Sequence, residues 1–253
     1  MRTAVISDIH GNLEAFQTVL ADMDERKVDR IICLGDILGY GPNPVECVDI
    51  VAERCEWALL GNHDFGALYE PTNFNVAAEQ AAYWTRAQFE AEPDHEKAAN
   101  RWEFLGKLRV RVVFGEFLCV HASPRRPINE YIFPEDAMNS PVKMKQIFDL
   151  VPEHCLVGHT HVPGVFTDEP DFYAAAELEG KYTFNEHERV IINPGSVGQP
   201  RDLDPRASYA ILDEDTRTVE FHRLEYDIDT VVEKIHAIPE LNDWLGDRLR
   251  EGR

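Results

Sequence analysis

Cysteine is scarce and unpatterned in this chain. There are 5, with no Cys-x-x-Cys spacing, and such a set excludes a disulfide framework and a structural zinc cluster. Cys33, Cys119 and Cys155 fall inside apolar runs and are expected to be small buried hydrophobes. No apolar run approaches the roughly 18 residues of a membrane-spanning helix. The N-terminus enters a strand pattern at once, without the basic region, apolar stretch and cleavage site of a secretory leader. The expectation is a cytoplasmic protein with no membrane partner. Basic residues are also few, 25 Lys and Arg against 46 Asp and Glu, for a formal charge of −21. A field of that sign repels polyanions, so duplex nucleic acid is excluded as a partner and a small anionic substrate needs local help.

What the chain has instead is one recurring grammar, a short apolar run that stops abruptly at Gly, Asp, His or Asn. Ile31-Ile32-Cys33-Leu34 leads into Gly35-Asp36, with Gly39 and Gly41 close behind. Ala4-Val5-Ile6 leads into Ser7-Asp8-Ile9-His10-Gly11-Asn12, and Trp57-Ala58-Leu59-Leu60 into Gly61-Asn62-His63-Asp64. Phe117-Leu118-Cys119-Val120 leads into His121, and Cys155-Leu156-Val157 into Gly158-His159-Thr160-His161. Buried strands read as such runs, and open α/β sheets place ligands at the carboxyl ends of their strands. The polar side chains therefore point to one shared site. Because they span Asp8 to His161, a domain boundary inside that range would divide it, and one domain over residues 1–253 is expected.

The order of patterns is strand (about Thr3–Ser7), helix (Asn12–Arg26), strand (Arg30–Leu34), helix (Pro44–Arg54), strand (Glu56–Leu60). Such alternation implies parallel crossovers. Residues from about 66 to 108 turn helical, with Tyr83, Trp84, Phe89, Trp102 and Phe104, and predict a helical insertion beside the site. Any one of those aromatics is equally well a core residue. A hairpin (Val110–Phe114, Phe117–Val120) and a helix near Val142–Leu150 follow. The later chain is β-rich (Val165–Thr167, Lys181–Phe184, Val190–Asn193, Ser208–Leu212, Thr218–Leu224) and closes on helices near Ile228–Ala237 and Glu240–Arg250. Two sheets packed face to face with helices outside are expected.

Asp8, His10, Asp36, Asn62, His121, His159 and His161 form an oxygen and nitrogen ligand set without thiolate. Such a set suits Mn²⁺, Fe, Ni²⁺ or Zn²⁺. It is too large for one tetrahedral ion and fits two divalent ions sharing Asp36 as a bridge. After Asp8 and Asp36 are counted, a surplus of about two positive charges remains for a phosphoryl group, and paired metals polarise such a group and generate hydroxide for in-line attack. His63 follows Asn62 too closely to share its ion easily, so proton donation to the leaving group is its expected role. Asp64 is expected to fix its tautomer and keep it cationic. Asn12, Tyr40, Arg125, Arg126 and Arg201 are candidate substrate contacts, Tyr40 by stacking a base and the arginines by meeting phosphate. For the arginines an ordinary surface role is the alternative. Asn193-Pro194-Gly195-Ser196-Val197-Gly198 is either a strand-ending turn or a source of amide donors at the rim.

Taken in order, Asp8-x-His10, Gly35-Asp36 with Gly39 and Gly41, Gly61-Asn62-His63-Asp64, His121 and Gly158-His159-Thr160-His161 resemble the motif blocks of the calcineurin-like metallophosphoesterases. The resemblance implies an α/β fold, a four-layer α/β/β/α sandwich of two mixed sheets. It implies one metal on Asp8, His10, Asp36 and His161, a second on Asp36, Asn62, His121 and His159, and His63 as the catalytic histidine. Mn²⁺ is the first choice of metal. The chain looks most like the compact bacterial and archaeal phosphodiesterase branch, and family members with a helical insertion resemble dinucleoside polyphosphate hydrolases. Leu38-Gly39-Tyr40-Gly41 stands where phosphoprotein phosphatases carry Asp-Arg-Gly. The expected function is a dimetal hydrolase of phosphodiester or nucleotide-type small molecules acting through metal-bound hydroxide. A phosphomonoesterase or protein phosphatase, and a non-enzymatic scaffold on the same fold, are the alternatives, and an oligomer is left open.

Overall fold

The computed structural model describes residues 1–185 and 187–253. Two mixed sheets of six strands make up its centre. The first runs β3 (Trp57–Ala58), β2 (Arg30–Cys33), β1 (Arg2–Ile6), β11 (Ala207–Asp213), β12 (Thr218–Leu224) and β9 (Lys181–Thr183). The second runs β4 (Arg111–Phe114), β5 (Phe117–Val120), β6 (His154–Leu156), β10 (Val190–Asn193), β7 (Gly164–Thr167) and β8 (Asp171–Ala174). Strands β1, β2 and β3 are mutually parallel, as are β5, β6 and β10. The remaining pairings are antiparallel.

Side-chain alternation builds the layers. Val5, Ile32, Cys119, Leu156 and Ile192 pack between the sheets. Their neighbours Ala4, Ile6, Ile31 and Cys33 face the other way, onto α1 (Leu13–Arg26) and α2 (Pro44–Arg54). Leu118, Val120, Cys155 and Ile191 face α6 (Asp136–Asn139) and α7 (Pro141–Phe148). Strands covered on both faces show no polar alternation, which is why they read as continuous apolar runs. The four-layer α/β/β/α arrangement is the one expected, and Cys33, Cys119 and Cys155 are buried free thiols.

The insertion consists of α4 (Val76–Glu90) and α5 (His95–Gly106), preceded by a short α3 (Asn62–Leu68). Phe89 meets Trp102 at 5.6 Å with the rings tilted, and both pack on the core, while Tyr83 is exposed. Several boundaries differ from expectation. The strand expected over Glu56–Leu60 is only Trp57–Ala58: Leu59 still donates to the Cys33 carbonyl of β2, but it also bridges Arg109, and the Leu60 amide donates to the Arg109 carbonyl at 2.8 Å. The helix expected over Glu240–Arg250 is α9 (Trp244–Asp247) followed by a 3₁₀ turn (Arg248–Glu251), with Asn242 accepting the Trp244 amide at its start. Its Leu241, Leu245 and Leu249 are buried as their spacing implies, packing with Val231 and Ile235 of α8 (Ile228–His236). The sequence reading did not anticipate α3 or β8.

Removing a methyl-rich side chain from the inter-sheet layer leaves a cavity that neither rigid sheet can fill. Leu156→Ala is expected to destabilise by ~2–5 kcal/mol. Val113→Ala, on edge strand β4 and 71% exposed, is expected to stay within about 0.5 kcal/mol of the parent. Chemical denaturation of the two variants checks the contrast.

Candidate metal centre

All the parallel strands of each sheet end at one edge, and their ladders continue past the strands into the motif loops. The amides of Asp8, His10 and Gly11 donate to the carbonyls of Gly35, Asp36 and Ile37 at 2.9–3.0 Å. Gly158 donates to the His121 carbonyl at 2.7 Å. Asp8, His10, Asp36, His159 and His161 then take left-handed backbone angles, with φ between 50° and 66°. Non-glycine residues reach this region at a cost of roughly 1–2 kcal/mol. The kinked backbone turns successive side chains into a common space instead of alternating them across the sheet.

The side chains so directed are buried and converge. Asp8, His10, Asp36 and His161 each bring a ligand atom within 4.8 Å of the others, and Asp36, His121 and His159 form a second such group. Asp36 belongs to both. Its Oδ2 lies 3.7 Å from His10 Nε2 and 3.3 Å from His121 Nε2, one contact toward each group. Asn62 Oδ1 lies 3.2 Å from His121 Nε2, so Asn62 adjoins the second group. All seven expected metal ligands are thus brought together.

Main-chain carbonyls fix three of the imidazoles. Nδ1 of His10, His121 and His161 faces the carbonyls of Leu38, Leu34 and Gln199 at 3.0, 2.9 and 2.5 Å. A carbonyl can only accept, so each Nδ1 is the N–H, and in the neutral ring Nε2 keeps its lone pair toward the cluster. The Nε2 atoms of His10 and His161 stand 3.2 Å apart, and the buried Nε2 of His159 has no partner among the described residues. Facing lone pairs and an orphaned buried nitrogen are unfavourable in themselves, and cations on the two groups would satisfy them. The residues present therefore fit a pair of divalent ions. Burial pushes His159 down to about 3 and His63 down to about 4, which keeps both rings neutral. For His121 burial acts in the same direction, but the Asp36 carboxylate outweighs it and raises the ring to about 9.

His63 occupies the first turn of α3, its ring 4.3 Å from that of Tyr40, 4.6 Å from Phe74 and 4.8 Å edge-on to His10. Its buried Nδ1 has no hydrogen-bond partner among the described residues. Asn62 and His63 serve different spaces because successive helical residues diverge by about 100°. Gly61, at the N-cap, stands so close that a Cβ there would meet Asp36 Oδ1 at 2.0 Å.

Several expectations are corrected. Asp64 does not orient His63. Its carboxylate accepts the amides of Asp36, Leu38 and Gly61 at 2.9–3.0 Å, reaching back over the N-terminus of α3 and clamping the Asp36 loop. His63 is also not held cationic, since burial prevails. Asn12 is consumed as the N-cap of α1, with Nδ2 donating to the Gly198 carbonyl and the Tyr226 hydroxyl. Tyr40 is 8% exposed and packed against His10 and His63, so it offers no open face to a base. Arg125 is committed to Glu130 and Gln146, and Arg126 is exposed without a side-chain hydrogen bond among the described residues. Arg201 alone of the three arginines stands against the site, its guanidinium 5.9 Å from the Tyr40 ring.

The Asn193–Gly198 segment is a brace. The amides of Val197 and Gly198 donate to the carbonyls of Ser7 and Asp8, Ser196 Oγ donates to the Asp8 carbonyl, and Asn193 Nδ2 donates to the Gly158 carbonyl and to Thr160 Oγ1. Its amides are therefore not free rim donors. Tyr131, which no motif marked, stacks on His159 with ring centroids 3.9 Å apart.

A two-sheet α/β sandwich with a buried Asp and His cluster, adjoined by Asn62, over its parallel strand ends defines a metal-dependent phosphoester hydrolase architecture. Residues 1–217 match the model of the calcineurin-like phosphoesterase superfamily domain, and the chain belongs to that family. It is 39% identical to an uncharacterised protein of Methanocaldococcus jannaschii, over 99% of this chain and 98% of that one. The fold is similar to the crystal structure of a metallophosphoesterase from Sphaerobacter thermophilus, with a TM-score of 0.82, 37% identity and coverage of 100% and 99% of the two chains. A shorter similarity, 31% identity over 130 residues, 48% of this chain and 44% of the relative, joins it to a symmetrical bis(5'-nucleosyl)-tetraphosphatase of Glaesserella parasuis.

Removing the Asp64 clamp strands three buried amide donors, each worth about 1–3 kcal/mol when left unpaired. Asp64→Ala is expected to destabilise by about 3 kcal/mol or more, and Asp64→Asn, which keeps one acceptor oxygen, by less. Urea unfolding curves compare them.

Proposed function

We propose that the protein is a dimetal hydrolase of phosphodiester or nucleotide-type substrates, with residues 1–253 acting as one domain. The observation that carries this reading is the sharing of Asp36 by two buried ligand groups, each with its ligand atoms within 4.8 Å. Asp8, His10, Asp36 and His161 hold one ion, and Asp36, Asn62, His121 and His159 hold the other. Two such ions supply polarisation of the phosphoryl oxygens and activation of water near neutral pH. Hard and borderline ligands without thiolate favour Mn²⁺, with Fe, Ni²⁺ or Zn²⁺ as competitors. The partial similarity to a nucleotide tetraphosphatase supports the nucleotide side of the substrate class.

The chain's own residues position and move protons. The carbonyls of Leu38, Leu34 and Gln199 hold three ligand rings in the tautomer a cation requires. His63 protonates the leaving oxygen. Burial depresses its pKa, and a phosphoryl anion beside the ring offsets that penalty, so the proton is acquired together with the substrate. Tyr40 and Phe74 limit where the ring can turn. Leu38-Gly39-Tyr40-Gly41 stands in place of the Asp-Arg-Gly of the protein-phosphatase pattern, which favours small esters over phosphoproteins.

Hydrolysis of aryl phosphodiesters and phosphomonoesters with Mn²⁺, with and without chelator, tests the reading alongside metal analysis. His63→Ala is expected to retain its metal and lose about 10²–10⁴ in kcat. His161→Ala is expected to lose one ion and Asp36→Ala both. Equal turnover by wild type, His63→Ala and chelator-treated protein would overturn the proposal, and kcat/KM for the two ester classes ranks diester against monoester.

A further inference from the structure

Of the four imidazoles in the two ligand groups, His159 is the one whose ring no main-chain carbonyl holds among the described residues. Nδ1 of His10, His121 and His161 each faces a carbonyl at 2.5–3.0 Å, whereas His159 is tied by its main-chain amide, which donates to the Asp8 carboxylate. The torsion that turns a histidine ring is broad, and a ring free to turn offers its nitrogen to a cation only part of the time. Metal-binding imidazoles are therefore ordinarily fixed by a bond at the other nitrogen. His159 is fixed by rings instead. Tyr131 covers one face with centroids 3.9 Å apart and planes 24° apart, and His121 meets the ring near edge-on at 5.1 Å. Tyr131 is in turn backed by Phe133, at 4.9 Å and 4° between planes.

The segment that carries the two rings is anchored on both sides. Ile132 between them is 2% exposed and packs with Leu118, Val120 and Ile147. Tyr131 and Phe133 are 38% and 41% exposed, so the middle side chain plugs the segment into the core and the flanking rings stand outside it. Upstream, Glu130 accepts from Ser123 Oγ and from the Arg125 guanidinium, and the Ala122 amide donates to the Pro127 carbonyl at 2.8 Å. The loop that leaves the ligand His121 is thereby pinned where it returns over the ligand His159. Downstream, the Phe133 amide and the Lys143 ammonium both meet Asp136 Oδ2, at 2.8 and 2.6 Å. Rings this exposed add little to the core, and the packing of Tyr131 serves the imidazole beneath it. A ring face is electron-rich and favours a positively polarised partner, so the stack strengthens when the imidazole shares a cation's charge.

We propose that Tyr131, backed by Phe133, is a positioning residue for the ion held by Asp36, Asn62, His121 and His159: its stacked ring holds the plane of His159 where the other three imidazoles use a carbonyl. This assignment rests on the dimetal reading of the cluster, and its test separates the two.

Mn²⁺ is titrated by calorimetry into the full chain after chelator treatment. Wild type is expected to bind two ions and His159→Ala one. Tyr131→Ala is expected to weaken one of the two ions by about tenfold and to leave the other unchanged, and Tyr131→Phe, which keeps the flat ring, to bind both within twofold of wild type. Tyr131→Leu keeps bulk without a flat face and carries the same test should the alanine variant not fold, with a similar loss expected. In the His159→Ala background, Tyr131→Ala is expected to leave the remaining ion unaffected, because the tyrosine acts through the imidazole, whereas a merely structural loss would weaken that ion too. Unchanged affinity for both ions in a folded Tyr131→Ala or Tyr131→Leu variant, equal weakening of both ions, failure of Tyr131→Phe to restore them, or a further loss in the His159→Ala background overturns the positioning role. Wild type that binds fewer than two ions overturns the dimetal reading, and the role with it.

Discussion

A carboxylate held between two sets of imidazoles is the constraint on which the rest of this structure turns. Asp36 is 1% exposed, and a buried anion is tolerated only when its lone pairs are met. One oxygen accepts the His63 amide at 2.8 Å, and the other faces His10 and His121. Its own amide donates to Asp64, so the second acid of the Gly-Asn-His-Asp block exists to keep the first in place. Asp8 lies in the same pocket with His161 Nε2 at 3.2 Å and the His159 amide at 3.1 Å. Two buried carboxylates this close repel, and that repulsion is what a pair of cations removes.

The sandwich makes the site a property of both sheets together. Asp8, His10 and Asp36 follow strands of the first sheet, whereas His121, His159 and His161 follow strands of the second. Each ligand group therefore draws on both sheets. Neither group exists unless the layer of Val5, Ile32, Leu156 and Ile192 has closed. The left-handed angles at the ligands belong to the same coupling, because strain of this kind persists only where surrounding bonds over-determine the backbone. The ladder from Asp8 to Gly11 and the brace around Ser196 supply those bonds.

What the sequence disclosed, and what it hid, follow from how far each signal travels along the chain. A strand covered on both faces is a continuous apolar run, and a ligand at its end is the next polar residue, so Asp8, Asp36, Asn62, His121, His159 and His161 were all legible. Boundaries were less so where a partner distant in sequence decides them, as when the Arg109 carbonyl draws off the Leu60 amide just past β3. The duties of polar residues were least legible. Asn12, Asp64 and Arg125 looked like chemistry, yet each is consumed by hydrogen bonds whose geometry appears only when the chain has folded. Tyr131 left no mark, lying in an irregular loop, and reaches the site by packing alone.

His63 and Asp64 show how adjacent residues acquire opposite duties. At the third position of α3, Asp64 can fold its carboxylate back over the unpaired amide of the N-cap, which is where a helix end most favours a negative charge. His63, one position earlier, is rotated away from that end toward Tyr40, Phe74 and His10. An aspartate aimed at the ring would have kept it charged at rest, whereas an aspartate spent on the backbone leaves the ring in an apolar wall and therefore neutral. A neutral ring beside ligands that must also be neutral does not compete with a cation for the cluster. Under the proposed hydrolase reading, the proton then arrives with the substrate's anion.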